Sequence, residues 1–175
     1  MPQTAFIVRV PEAEALVASL RSRFDSSAAL GVPAHITVLV PFMAPDRITP
    51  SILVQVQAAL SQVASFAYSL SEVRRFPATA YLAPEPAEPF VALTKALVHK
   101  FPEFPPFRGE HESIIPHLTV ATGNASEAEV AALELRALIQ SNGAISSFCS
   151  SVSLLENSLG RWKEMHVFAL PGQDS

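Results

Sequence analysis

The sequence is short of cysteine, of glycine and of charge. Its single cysteine, Cys149, excludes an internal disulfide framework and any zinc site built on paired cysteines. Lysine and arginine number 12 against 16 aspartates and glutamates, a formal charge of −4. Proteins that grip extended duplexes carry a clear basic excess, so an extended duplex is set aside as a partner. No run approaches the roughly 18 apolar residues that a membrane-spanning helix needs. Residues 1–10 show no basic patch followed by a long apolar stretch, so a signal peptide is not expected. The expectation is a cytoplasmic protein with no membrane partner, and the lone thiol agrees with it. Only 6 glycines stand against 15 prolines, which are expected to cut the chain into short, sharply bounded elements. With 49% hydrophobic residues in 175, there is ample material for a core, and disorder is excluded as the dominant state. The length suits one domain, or two small lobes sharing a core.

What is present is an order that recurs. Residues 4–10 alternate as a strand, and Pro11 opens a helix carrying Leu16, Val17, Leu20 and Phe24 on one face. Residues 35–40 form a strand stopped by Pro41. Thr49-Pro50 starts a helix striped by Ile52, Leu53, Val56, Leu60 and Val63, and residues 65–73 give a third strand. Then come a strand at 79–83, a helix on Phe90, Leu93, Leu97 and Phe101, and a Pro-rich loop. A strand at 117–121 and a further helix close the second round, with Ser126 and Glu129 reading as its capping box and Asn142-Gly143 as its end. Residues 147–155 read as one strand, and the turn 157–160 leads to a last strand at 162–170.

Residues repeat as well as elements. His35-Ile36-Thr37-Val38 returns as His117-Leu118-Thr119-Val120, an offset of 117 − 35 = 82, and Ser65-Phe66 returns as Ser147-Phe148 at the same offset. Thr4-Ala5-Phe6 and Thr79-Ala80-Tyr81 open the two halves. The expected architecture is α+β, a duplicated β-α-β-α-β unit over residues 1–175. Pseudo-repeat lobes at about 1–74 and 75–175 would be related by a pseudo-twofold.

In a strand, residues i and i+2 point to the same side. His35 and Thr37 therefore share one face, as do His117 and Thr119, while the aliphatic residues between them face the core. Two imidazoles and two hydroxyls meeting in one cleft suit phosphodiester chemistry without metal. One neutral His takes a proton while a protonated His gives one to the leaving oxygen. The hydroxyls donate to the non-bridging phosphate oxygens where charge grows. A single His-x-Thr is ordinarily a buried histidine with a satisfied hydrogen bond, but two copies at repeat-equivalent places favour a site. A metal centre is not indicated, because there is no His-x-x-x-His, no cysteine partner and no carboxylate beside either motif. A serine nucleophile is not indicated either, because no Gly-x-Ser-x-Gly elbow is present.

The paired motifs, in the contexts PAHITVLVPF, FPATAYLAPEPAEPF, FPEFPPF and IIPHLTVA, resemble the two-histidine (2H) phosphoesterase superfamily. That superfamily includes the 2′-5′ RNA ligase-like proteins and the RNA 2′,3′-cyclic phosphodiesterases. The resemblance implies a bilobal, LigT-like α+β fold, with mainly antiparallel sheets around a central cleft. It implies His35 and His117 as the catalytic pair, Thr37 and Thr119 as phosphate ligands, and no cofactor. The implied activity is metal-independent phosphodiester hydrolysis, and the leading expectation is hydrolysis of the 2′,3′-cyclic phosphate of a nucleotide or short RNA end by a monomer. The alternatives are 2′-5′ RNA ligation and a non-catalytic nucleotide-binding module. Phe42, Tyr81, Phe107 and Trp162 are candidates to stack on a base, against a packing role for each. Arg74, Arg75, Arg108 and Arg161 are candidates to pair a second phosphate, against a solvated surface role. His111 is read as a surface residue of the loop, His99 as exposed on its helix, and His166 as structural.

Overall fold

A computed structural model of the chain describes residues 1–111 and 113–172. Among the described residues eight strands form two four-stranded sheets in which every paired neighbour is antiparallel. The first sheet contains β1 (Thr4–Arg9), β2 (His35–Leu39), β7 (Ser151–Glu156) and β8 (Lys163–Ala169), in the order β2-β1-β7-β8. The second contains β3 (Phe66–Phe76), β4 (Thr79–Glu85), β5 (Leu118–Thr122) and β6 (Ile145–Cys149), in the order β5-β4-β3-β6.

The helices are α1 (Pro11–Phe24), the single turn α2 (Ser26–Ala29), α3 (Pro50–Leu60), α4 (Glu88–Lys100) and α5 (Ala125–Asn142). Each helix that follows the first strand of a half crosses to the other sheet. Helix α1, leaving β1, packs on β5 and β6, whereas α4, leaving β4, packs on β2. The exchange knits both sheets into one apolar cluster with Phe6, Ile36, Leu39, Leu82, Phe90, Leu97 and Phe168 in its depth. Thr94, buried on α4, donates from Oγ1 to the Val38 carbonyl at 2.7 Å and fixes that helix to β2.

Three expectations need correction. The boundary drawn between residues 74 and 75 falls inside β3, and each sheet draws strands from both halves of the sequence. The strand orders set β2 against β5, β1 against β4 and β7 against β3, so neither sheet is built from one continuous half of the sequence. The Ser65-Phe66 and Ser147-Phe148 copies are accordingly not symmetry mates. They begin or lie within neighbouring strands of one sheet, where Tyr68 pairs with Ser147 and Ala67 with Phe148. Second, residues 147–155 are not one strand. The chain leaves the second sheet after Cys149 and enters the first at Ser151, and the Ser150 carbonyl between them accepts from the Leu170 amide at 2.9 Å. Third, α5 is capped by Asn124 rather than by Ser126. The Asn124 side chain accepts from the Glu127 amide at 2.8 Å and from the Ser126 hydroxyl at 3.0 Å.

Candidate active site

Strands β2 and β5 are the outer strands of the two sheets, and they come into contact with each other. The period of two decides what each turns to the cleft between them. Ile36 and Val38 are buried on β2, and Leu118 and Val120 on β5, whereas His35, Thr37, His117 and Thr119 are only partly covered. His35 opens β2, and His117 stands one residue before β5 begins.

Both rings are held by the same local device. His35 Nδ1 lies 2.8 Å from the Pro33 carbonyl oxygen, and His117 Nδ1 lies 2.7 Å from that of Ile115. A carbonyl only accepts, so each Nδ1 carries the proton, and each Nε2 is left with a lone pair in the neutral ring. Burial pushes the His35 imidazole down to about 4 from its usual 6.5, and the charges of Arg21 and His117 act in the same direction. The Pro33 carbonyl and Asp25 oppose that shift. Burial also lowers His117, against the opposing hydrogen bond to Ile115.

Two adjoining cavities lie at these rings. One, of about 700 Å³, is lined by His35, His117, Thr119, Phe76 and Phe107 among others. The other, of about 450 Å³, contains Thr37 and shares His117, Phe107, His111, Ser113 and Ile115 with the first. The loop after α4 roofs both. The Phe107 amide donates to the Val40 carbonyl at 2.7 Å, tying the loop to the end of β2. There Phe107 and Arg108 hold positive φ angles of 50° and 57°, a region that side-chain-bearing residues seldom occupy.

Of the weaker candidates, only Phe107 lines the cleft, with 37% of its surface exposed. Phe42 is 4% exposed and packs among Phe6, Phe101 and Phe104 in the core. Tyr81 is 3% exposed and lies behind the cleft wall, stacked on Phe76 at 4.6 Å between centroids. Trp162 packs against Ile7, Val32 and Leu155, away from both cavities. Arg108 lines neither cavity. Arg74 pairs with Glu72, Arg75 donates to the Ala125 carbonyl, and Arg161 donates to the Ala29 carbonyl. His111 is exposed, as expected of a loop residue, and it also lines both cavities. His99, exposed as expected, nonetheless stands on the wall of the smaller cavity. His166 is exposed on β8 and tilts against Phe168.

Two contributors escaped the sequence reading. Phe76 ends β3, lines the larger cavity, and meets the His117 ring edge-on at 5.4 Å and 90°. Its only signal was the Phe76-Pro77 pair just before the second Thr-Ala-aromatic triplet. Asp25 also lines the larger cavity and is paired with Arg21 at 3.0 Å. Among the described residues no group of three or more His, Cys, Asp or Glu is arranged to hold a metal ion. No helix among them is long and apolar enough to cross a membrane.

A family model described as the 2′-5′ RNA ligase superfamily matches residues 9–160. No curated protein matches the chain. Solved structures share the fold at low identity. TT0787 of Thermus thermophilus is 16% identical, with 98% of this chain and 100% of that chain covered and a TM-score of 0.61. E. coli LigT complexed with 3′-AMP is 15% identical, with coverages of 97% and 99% and a TM-score of 0.58. LigT complexed with NADP+ is also 15% identical, with 97% of each chain covered and a TM-score of 0.61.

Proposed function

The chain belongs to the 2′-5′ RNA ligase superfamily, and from that premise we propose that it is a metal-independent phosphodiesterase opening the 2′,3′-cyclic phosphate of a nucleotide or RNA end. The observation that carries this reading is the matched anchoring of His35 and His117, whose Nδ1 protons are engaged by carbonyls at 2.8 and 2.7 Å. Each ring then has one nitrogen for proton transfer, and both line one cavity. His35, the ring held down to about 4, is neutral near pH 7 and is assigned as the base. Its Nε2 takes a proton from water as the water oxygen bonds to phosphorus. The bond from phosphorus to one ribose oxygen breaks, and His117 Nε2–H delivers a proton to that oxygen. Thr37 and Thr119 donate to the non-bridging oxygens as negative charge builds there.

The nucleotide as ligand class draws support from LigT, a structural neighbour crystallised with 3′-AMP and with NADP+. Phe76 and Phe107, on the wall and roof of the larger cavity, are the aromatic faces available to a base. A cytoplasmic monomer remains the setting, consistent with a single buried thiol at Cys149.

The test is turnover of 2′,3′-cyclic mononucleotides and of short RNAs ending in a cyclic phosphate, by wild type, His35→Ala and His117→Ala. Each variant is expected to lose at least ~10²-fold in kcat, the lower end for a general acid or base. EDTA is expected to leave wild-type turnover unchanged. Retained activity in either variant, or loss on chelation, overturns the reading. Joining of the cyclic end to an added 5′-hydroxyl RNA, in place of hydrolysis, would make the chain a ligase in practice.

A further inference from the structure

The chain carries a formal charge of −4, yet four of its five histidines line the two cavities: His35, His99, His111 and His117. The smaller cavity adds Lys95, and among the described residues no carboxylate appears on its lining. Among the described residues the carboxylate on the larger cavity, Asp25, is already paired with Arg21. An acidic protein has thus gathered nitrogen-bearing side chains into one basin. Lys95 and His99 lie four positions apart on α4, so the two side chains stand on the same helical face. The Thr94 hydroxyl bonded to the Val38 carbonyl sets that face beside β2, next to Thr37. Among the described residues Lys95 makes no ion pair, so its ammonium is uncommitted.

We propose that the smaller cavity is a second anion subsite, in which Lys95 and His99, with His111 from the roof, take a phosphoryl group on the 5′ side of the nucleotide whose cyclic phosphate sits between His35 and His117. The inference rests on the function proposed above and extends it from the reacting phosphate to the next one along the substrate. The cavities share His117 and Phe107, so one ligand can reach from the proton-transfer pair into the α4 subsite. Apolar contacts with Val98 and Phe90 line the same space, which suits a sugar edge beside the phosphoryl. A lysine ammonium serves such a group as a compact charge, and imidazole N–H groups add direction. Two substrates present this chemistry: a 5′-phosphorylated nucleoside 2′,3′-cyclic phosphate, and an RNA end whose last internucleotide linkage supplies the phosphoryl.

Three substrates separate the cases: adenosine 2′,3′-cyclic phosphate, the same compound with a 5′-phosphate, and the dinucleotide ApA ending in a 2′,3′-cyclic phosphate. Wild type is expected to show kcat/KM about tenfold higher for one or both of the latter two. A higher value for the monoester names the free nucleotide as the source, and a higher value for the dinucleotide names RNA. The Lys95→Gln/His99→Gln double variant is expected to collapse that preference. Lys100→Gln, on the same helix but outside the lining, is expected to keep it. Equal kcat/KM for all three substrates in wild type, or a preference that survives the double variant, overturns the subsite while leaving the hydrolytic reading intact. If wild type opens none of the three, the catalytic reading fails, and calorimetry with 3′-AMP and adenosine 3′,5′-bisphosphate still decides the subsite. Tighter binding of the bisphosphate that depends on Lys95 and His99 supports it, and equal affinity sinks it.

Discussion

His35 and His117, 82 positions apart in the sequence, anchor their rings identically, each with Nδ1 on the backbone carbonyl of the residue two places earlier. The anchors match, but the surroundings do not. Arg21, Asp25 and His117 act on His35, whereas His111 acts on His117. Burial lowers both imidazoles, and the differing neighbours are what the proposed division into base and acid rests on.

The pH dependence follows with its sign. Protonation of His35 removes the base, so kcat/KM is expected to fall on the acid side near pH 4. Loss of the proton from His117 removes the acid. Burial lowers that group, so the alkaline limb is expected below its usual value of about 6.5. Stability moves in a related direction. The folded chain holds His35 well below its unfolded value, so proton uptake favours the unfolded chain. The His35 contribution is whole above about pH 6.5 and is lost as pH falls towards 4. Urea unfolding across that window should show the loss in wild type and a flatter profile in His35→Gln.

The threonines test the phosphate-binding half of the proposal. Thr37→Val and Thr119→Val keep shape and strand preference while removing the hydroxyl. Each is expected to lower kcat by about 10²-fold, the order seen when one donor to a developing anion is removed. A change confined to KM would mean that the hydroxyls bind the ground state only. Unchanged kinetics in both would remove them from the site.

The sequence showed the two His-x-Thr strands because strand alternation is local, and a polar pair over an aliphatic pair is visible in four letters. It did not show where the halves divide, because sheet membership is decided by long-range pairing. The run from Ser147 to Leu155 contains no glycine or proline at Ser150, where the chain changes sheets. Phe76 and His111 became site residues only through the β3–β4 hairpin and the inward loop, neither of which leaves a periodic signature. Phe42 and Tyr81 sat in suggestive motifs, yet aromatic packing claimed both.

The misplaced cap gives a test of that local reading. Asn124→Ala removes the acceptor for the Glu127 amide and is expected to cost about 1 kcal/mol in chemical denaturation. Ser126→Ala removes only a hydroxyl bonded to Asn124 on an exposed first turn and is expected to fall within about 0.5 kcal/mol of wild type. The reverse order of costs would restore the capping box on Ser126.

Arg21 and Asp25 join stability to catalysis. Arg21 is 2% exposed and donates from Nε to Asp25 at 3.0 Å and from Nη2 to the Val32 carbonyl at 2.9 Å. Asp25 in turn accepts from the Ser27 amide at 3.1 Å, so the pair staples the turn between α1 and α2. Val32 precedes Pro33, whose carbonyl holds His35. Arg21→Met strips the donors and strands a buried carboxylate, for an expected loss of about 3–5 kcal/mol. Asp25→Asn keeps an acceptor for Ser27 and should cost less. The double variant should cost less than the sum, because the stranded charge is gone. The pH–rate profile separates a staple from a tuner. Losing the Arg21 cation relieves repulsion on protonated His35 and moves the acid limb up, whereas Asp25→Asn moves it down. Stability losses with an unmoved limb in both variants would leave the pair holding the turn and nothing more.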